Sequence, residues 1–98
     1  MGVLCVTYDL GLESTRDYPG LLACIRGLGP HRRITRSTWL VDTEQTPGEV
    51  VNALDAFNGD GDKIIVFPVA VGQKWSMLCG RYANDAETVA WLRQHVRR

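Results

Sequence analysis

The fold of this 98-residue chain is decided by the stretch Val3-Leu4-Cys5-Val6-Thr7-Tyr8-Asp9. Six residues that favour a β-strand are followed by the carboxylate of Asp9, close to the N-terminus. An apolar run of this kind, rich in β-forming residues, predicts a central strand buried on both faces. The end of such a strand is rigid, and the loop after it can admit a ligand. Asp9 is therefore the leading candidate for a functional residue.

Helix, strand and turn signals alternate along the rest of the chain. A helix is predicted after Asp17, a candidate cap, and is ended by Gly27 and Gly29-Pro30. Thr46-Pro47-Gly48-Glu49 is a capping box with proline at the first helical position, and its helix is expected to stop at Asn58-Gly59. The other predicted elements are a strand or hairpin arm at 31–36, strands at 37–43 and 63–69, a short strand around Trp75 and Met77, and a terminal helix opened by Asn84-Asp85-Ala86-Glu87.

This order of elements predicts an α+β fold, the ferredoxin-like βαββαβ sandwich, with a C-terminal short strand and helix. The length allows a single domain over residues 1–98. Its core is expected at residues 1–70, and residues 71–98 form a C-terminal extension.

Both faces of the predicted sheet are apolar, although the two crossover helices cover only one of them. The first strand presents Val3, Cys5 and Thr7 to one side and Leu4, Val6 and Tyr8 to the other. The strand at 63–69 alternates in the same way. The uncovered face needs a partner, and we expect a homodimer. The alternative is that the terminal helix folds back over this face.

Composition excludes several classes of protein. No apolar stretch approaches the roughly 20 residues that cross a bilayer, and no signal peptide is recognised. Cys5, Cys24 and Cys79 are widely spaced, which suits reduced thiols in a cytoplasmic protein.

Net charge is zero, but residues 26–36 hold four arginines and no acid. This segment could present a local basic surface.

Several stretches together resemble the CRISPR-associated "Cas-two" family over about residues 3–69, including its stand-alone relatives. They are Val6-Thr7-Tyr8-Asp9-Leu10, the basic stretch ending in Ser37-Thr38-Trp39-Leu40-Val41, the capped second helix and Asp62-Lys63-Ile64-Ile65-Val66. The VapD-like toxin ribonucleases share the same fold. The order and spacing of these motifs carry the resemblance.

The resemblance implies a ferredoxin-like homodimer. Some family members are metal-dependent nucleases that act on RNA or DNA. Others are non-catalytic bridges that hold DNA between copies of a CRISPR integrase partner. Asp9 corresponds to the family's metal-binding and catalytic candidate, with Mg²⁺ or Mn²⁺ as the expected cofactor. The family's arginine-rich segment corresponds here to Arg32, Arg33 and Arg36.

One carboxylate per chain holds Mg²⁺ poorly, because that ion keeps most of its waters. Two copies of Asp9 brought together by a twofold axis would supply two ligands to one ion. Such an ion could lower the pKa of a bound water and stabilise phosphate charge. The alternative is that Asp9 only caps its own loop, as aspartates at strand ends often do.

Arg32, Arg33 and Arg36, with His31 nearby, could clamp phosphates without reading sequence. The alternative is a solvated hairpin, or pairing with Asp42 and Glu44. For the remaining candidates the structural role is favoured: a turn for Asp60 and Asp62, strand packing for Ser37 and Thr38, and core or interface positions for Trp39 and Trp75. His31 and His95 are not expected to pair.

Two classes of function therefore remain open. The first is a Cas-two-like dimeric protein that binds or scaffolds nucleic acid, with or without nuclease activity. The second is a small-ligand regulatory or protein-interaction domain of ferredoxin-like fold that does not act on nucleic acid.

Overall fold

The computed structural model describes residues 2–11, 18–59, 61–78 and 85–96. Four strands and three α-helices form within these ranges, so the protein is α+β. The elements in chain order are β1 (Gly2–Asp9), α1 (Tyr18–Arg26), β2 (His31–Thr35), β3 (Thr38–Thr43), α2 (Pro47–Leu54) with a 3₁₀ turn (Asp55–Phe57), β4 (Lys63–Val69) and α3 (Ala86–His95).

The strands form one sheet in the order β2-β3-β1-β4, and every neighbouring pair is antiparallel. Val6 of β1 lies opposite Trp39 of β3 on one side and Val66 of β4 on the other. The first strand is therefore central, as its apolar run predicts. This sheet and its helices are compatible with a small ferredoxin-like fold.

The first face of the sheet lies under α1 and α2. Leu4, Val6 and Tyr8 of β1 point to this side, because side chains alternate along a strand. The other buried residues of this core are Leu21, Ile25, Trp39, Val41, Val50 and Leu54. Their burial is the main stabilising term of the fold.

The second face is covered in part by the C-terminal region. Val3, Cys5, Leu40 and Val96 form a second buried cluster there. Ile34, Val69, Trp75, Trp91 and Leu92 pack against it. The terminal helix thus folds back over this face, which was the alternative to a homodimer. The cover is incomplete, since Ile65 and Phe67 of β4 remain 48% and 47% exposed.

The capping box forms as predicted and starts α2. The Thr46 hydroxyl accepts a hydrogen bond from the Glu49 amide at 3.1 Å, and the Glu49 carboxylate accepts one from the Thr46 amide at 2.8 Å. Two amides without helical partners are satisfied in this way. The helix tightens into the 3₁₀ turn at Asp55–Phe57, and the chain becomes extended at Asn58.

The predicted short strand around Trp75 and Met77 is wrong, because none of the described residues 70–78 lies in a strand. Trp75 packs onto the second face instead. The segment therefore crosses over the sheet and does not extend its edge.

The start of α3 also differs from the expected pattern. Asp85 is the cap, and its carboxylate accepts a hydrogen bond from the Thr88 amide at 3.2 Å. Asn84 and the predicted α1 cap Asp17 lie outside the described residues, as do Asp60 and Cys79.

The segment at 31–36 forms one arm of a hairpin, with β2 paired to β3. No helix in the described part of the chain is long and apolar enough to cross a membrane.

Candidate functional site

Asp9 ends β1 with an exposed side chain, and its register partner across the sheet is Lys63. A small depression of about 90 Å³ lies beside it, lined by Thr7, Tyr8, Asp9, Lys63 and Ile65. Within the described ranges, no group of three or more His, Cys, Asp or Glu side chains is placed to hold a metal ion. Among the described residues, one chain therefore brings only the Asp9 carboxylate to this depression, and one carboxylate is too few for a protein-built Mg²⁺ site.

Asp62 closes the loop that follows Asp9. One of its carboxylate oxygens accepts a hydrogen bond from the Gly11 amide and the other accepts one from the Gly59 amide, both at 2.7 Å. A Cβ at Gly11 would lie 3.0 Å from the Gly61 carbonyl oxygen, so the two backbones meet closely. Asp62 thus has the turn role predicted for it, and it fixes where the chain goes after Asp9.

A buried pair of aromatic side chains holds the hairpin turn against the end of β1. Trp39 Nε1 donates to the Tyr8 hydroxyl at 3.2 Å, and that hydroxyl donates to the Arg36 carbonyl at 3.2 Å. The Tyr8 amide also donates to the Ser37 carbonyl at 3.0 Å. The turn at Arg36 and Ser37 therefore lies at the same end of the sheet as Asp9.

Arg33 and His31 lie on the side of β2 that faces Trp39. Arg33 Nε donates to the Arg36 carbonyl at 3.0 Å, and the guanidinium lies 5.5 Å from the centre of the Trp39 ring. His31 Nδ1 is 3.0 Å from the Gly29 carbonyl oxygen, and its ring centre is 5.7 Å from that of Trp39. Both side chains support the hairpin.

Arg32 lies on the opposite side of β2 and binds the start of α3. Its guanidinium donates to Asp85 at 2.8 Å, to the Thr88 hydroxyl at 2.8 Å and to Glu87 at 3.2 Å. The structure therefore does not bring Arg32 and Arg33 together, because consecutive strand residues point to opposite faces. The acidic partners of Arg32 are Asp85, which caps α3, and Glu87 in its first turn, and they are not Asp42 or Glu44.

Arg36 is exposed at the hairpin turn. Among the described residues its guanidinium has no ion pair. Lys63 is exposed as well, and it starts β4 at the same end of the sheet. Two cationic side chains thus remain accessible near Asp9.

Sequence reasoning named Asp42, Asp85 and His95 but missed the contacts that these residues make around α3. Asp42 of β3 and His95 are 2.8 Å apart, and the His95 ring stacks on Trp91 with centres 4.2 Å apart. At the other end, the hydrogen bond from the Thr88 hydroxyl, followed by that from Arg32, holds the pKa of Asp85 below its usual range. Arg32 and Asp85, like Asp42 and His95, are 53 residues apart in sequence, so no local pattern could reveal these two pairs.

The described cysteines have the properties of structural thiols. Cys5 is buried in β1, and Cys24 is half-buried on α1. Burial raises the pKa of both thiols. A raised pKa lowers the thiolate fraction and therefore the reactivity.

These observations define an α+β protein with a four-stranded antiparallel sheet, the Asp9 carboxylate at the end of its central strand and an incompletely covered second face. Comparison of the chain with protein-family models, curated proteins and solved structures gives no match. The resemblance to the Cas-two family accordingly rests on the motifs in the sequence.

Proposed function

We propose that this protein is a Cas-two-like, ferredoxin-like homodimer that binds or scaffolds nucleic acid, and that the open part of its second face is the dimer interface. The observation that carries the proposal is the position of Asp9 at the edge of an uncovered apolar patch. The raised pKa of the two described thiols, Cys5 and Cys24, fits the reducing cytoplasm as the location of the protein.

The register of β1 and β4 supports this arrangement. Thr7 lies opposite Ile65, Cys5 opposite Phe67 and Asp9 opposite Lys63. All these side chains belong to the second face, where α3 leaves Ile65 and Phe67 half-exposed. A second copy packed here by a twofold axis would bury this apolar surface. An axis passing near the Asp9 end would also bring the two Asp9 carboxylates together.

In the proposed dimer, the metal ion binds between the two chains. The described residues of one chain do not supply enough oxygen ligands, whereas two Asp9 side chains would offer two carboxylates to Mg²⁺ or Mn²⁺. An ion held there would supply a more acidic bound water and a positive charge for phosphate oxygens. Nuclease activity therefore requires dimerisation, whereas binding does not require the metal.

Nucleic acid would contact the accessible cations at this end of the sheet. Arg36 and Lys63 are exposed, whereas Arg32 is neutralised by Asp85 and Glu87. Contacts from such side chains to phosphate give affinity that depends on salt and not on base sequence.

Binding of labelled single-stranded RNA and duplex DNA at low salt tests this proposal. The Arg36→Ala/Lys63→Ala variant is expected to bind about tenfold or more weakly, since each lost phosphate contact weakens the salt-dependent term. Lys74→Ala is the control, because Lys74 is an exposed cation that lies outside the four strands. The absence of wild-type binding, or an equal loss in the control, would contradict the proposal.

Cleavage is tested separately on the same nucleic acids with added Mg²⁺ or Mn²⁺. If the dimer is catalytic, Asp9→Asn abolishes cleavage and leaves the dissociation constant unchanged. Wild-type protein that binds without cleaving assigns the scaffold function alone.

A further inference from the structure

Asn58 and Gly59 form a dipeptide in which the asparagine side chain can react with the backbone of the next residue. Gly59 has no Cβ, so nothing on it shields its amide nitrogen from the Asn58 carboxamide. Asn58 is exposed at the end of the 3₁₀ turn, where water reaches its side chain. Residue type and exposure therefore make position 58 a candidate for deamidation.

Deamidation at this position is an attack of the Gly59 nitrogen on the carboxamide carbon of Asn58. A carbon–nitrogen bond forms between them and the bond to the side-chain nitrogen breaks, so that ammonia leaves with the proton of the Gly59 amide. Water then opens the cyclic imide at one of its two carbonyls, which leaves an aspartate or an isoaspartate at position 58. The nitrogen attacks after it has lost its proton, so a group that holds this proton slows the reaction.

Asp62 holds the amide that would attack. Gly59 N–H donates to the Asp62 carboxylate at 2.7 Å, and the Gly59 carbonyl accepts from the Asp62 amide at 3.1 Å. A hydrogen bond to a carboxylate is about twice as strong as one between neutral groups. It keeps the proton on the Gly59 nitrogen and fixes the direction of the N–H.

The backbone of Asn58 also directs this nitrogen away from the side chain. Ring closure needs the Gly59 nitrogen to lie beside the Asn58 Cβ, but Asn58 is extended, with a φ of −90° and a ψ of 123°. The Asn58 amide donates to the Asp55 carbonyl at 3.1 Å, which helps to hold this conformation. The attack therefore requires Gly59 to separate from Asp62 and Asn58 to rotate.

We propose that Asn58 is a site of spontaneous deamidation and that the hydrogen bond from Gly59 to Asp62 controls its rate. An isoaspartate lengthens the main chain by one methylene, so its formation displaces Gly59 from Asp62. Asp62 also accepts a hydrogen bond from the Gly11 amide, so the change reaches the loop that follows Asp9. The proposal does not depend on the nucleic-acid function, because the reaction involves only this loop and water.

Comparison of the folded and unfolded wild-type chain tests the protection. Peptide mapping by mass spectrometry measures deamidation at position 58 at neutral pH, with and without enough urea to unfold the protein. The folded protein is expected to react about tenfold or more slowly, because a hydrogen bond to a charged group must open before the attack. Equal rates in the two states would overturn the proposal, and this comparison needs no variant.

Two truncations of acidic residues test the role of Asp62. Asp62→Ala removes the acceptor, so deamidation at position 58 is expected to be about tenfold or more faster. Asp55→Ala is the matched control, because it removes an exposed carboxylate near Asn58 and keeps the backbone carbonyl that binds the Asn58 amide. It is expected to leave the rate unchanged. Circular dichroism and thermal unfolding confirm that both variants fold. Equal acceleration in both would overturn the role of Asp62.

Hydrogen exchange of the Gly59 amide tests the mechanism. Exchange and deamidation both require this amide to leave Asp62, so the same local opening controls both rates. Asp62→Ala is expected to raise the exchange rate of Gly59 by the same factor as the deamidation rate. Faster deamidation with unchanged Gly59 exchange would overturn the hydrogen bond as the controlling contact.

Discussion

Tyr8 shows at the residue scale how one hydroxyl joins two strands. It accepts from Trp39 Nε1 and donates to the Arg36 carbonyl. Tyr8→Phe leaves a buried indole N–H unpaired, so the free energy of unfolding is expected to fall by about 1–3 kcal/mol. Denaturant unfolding measures the loss. The double variant Tyr8→Phe/Trp39→Phe should lose less than the sum of the two single losses; strict additivity would contradict the coupling.

Gly29 is required by the backbone that enters β2. It has a φ of 156°, and a Cβ there would overlap the Asp42 carbonyl oxygen. Gly29→Ala is therefore expected to lower the free energy of unfolding by at least about 1 kcal/mol. Gly48→Ala is the matched control, because its Cβ would meet only the Thr46 hydroxyl at 4.0 Å. Similar losses in both variants would show that glycine is not needed at position 29.

At the scale of elements, α3 is attached to the sheet by polar contacts at both of its ends. Arg32 binds Asp85 and Thr88 at its start, and Asp42 meets His95 at its end. The apolar contacts of Leu92 and Val96 lie between them. Polar pairs of this kind fix the position of the helix on the sheet face. Apolar packing alone would fix that position less specifically.

Acid is expected to weaken this attachment through Asp85. The pKa of Asp85 is lowered in the folded protein by the hydrogen bonds from Thr88 and Arg32. The stabilisation is therefore complete above the unfolded pKa, about 4, and is lost as pH falls through the folded value. Urea unfolding of wild type and Asp85→Asn should differ at about pH 6 and converge towards about pH 2. A difference that does not change with pH would contradict this role.

At the scale of the whole molecule, β4 leaves an apolar surface open. The oligomeric state of the protein tests whether a second copy covers this surface. Phe67→Asp is expected to yield a monomer at concentrations where wild type is a dimer, because a charge buried in an apolar interface is costly. Sedimentation velocity measures the state. Val51→Asp is the control, since Val51 is 38% exposed on α2. A monomeric wild type at high concentration, or the same dissociation in the control, would contradict the proposed interface.

Much of the fold could be predicted from local signals. The run from Val3 to Asp9 predicts a central strand, and Thr46 with Glu49 predicts the start of α2. Both are confirmed, because strand alternation and helix capping depend on neighbours in the sequence. The short strand near Trp75 was wrong, since a tryptophan beside a sheet can pack onto its face as well as extend its edge.

The sequence by itself determined the α+β class, the apolar character of both sheet faces and the exposed end of β1 at Asp9. Only the tertiary structure decided that Arg32 pairs with Asp85, that α3 folds back over the second face, and that a cavity remains beside Trp75. The physical reason is range: periodicity and caps act over a few residues, whereas Arg32 with Asp85 and Asp42 with His95 are each 53 residues apart. Such pairs form only after packing has brought distant segments together.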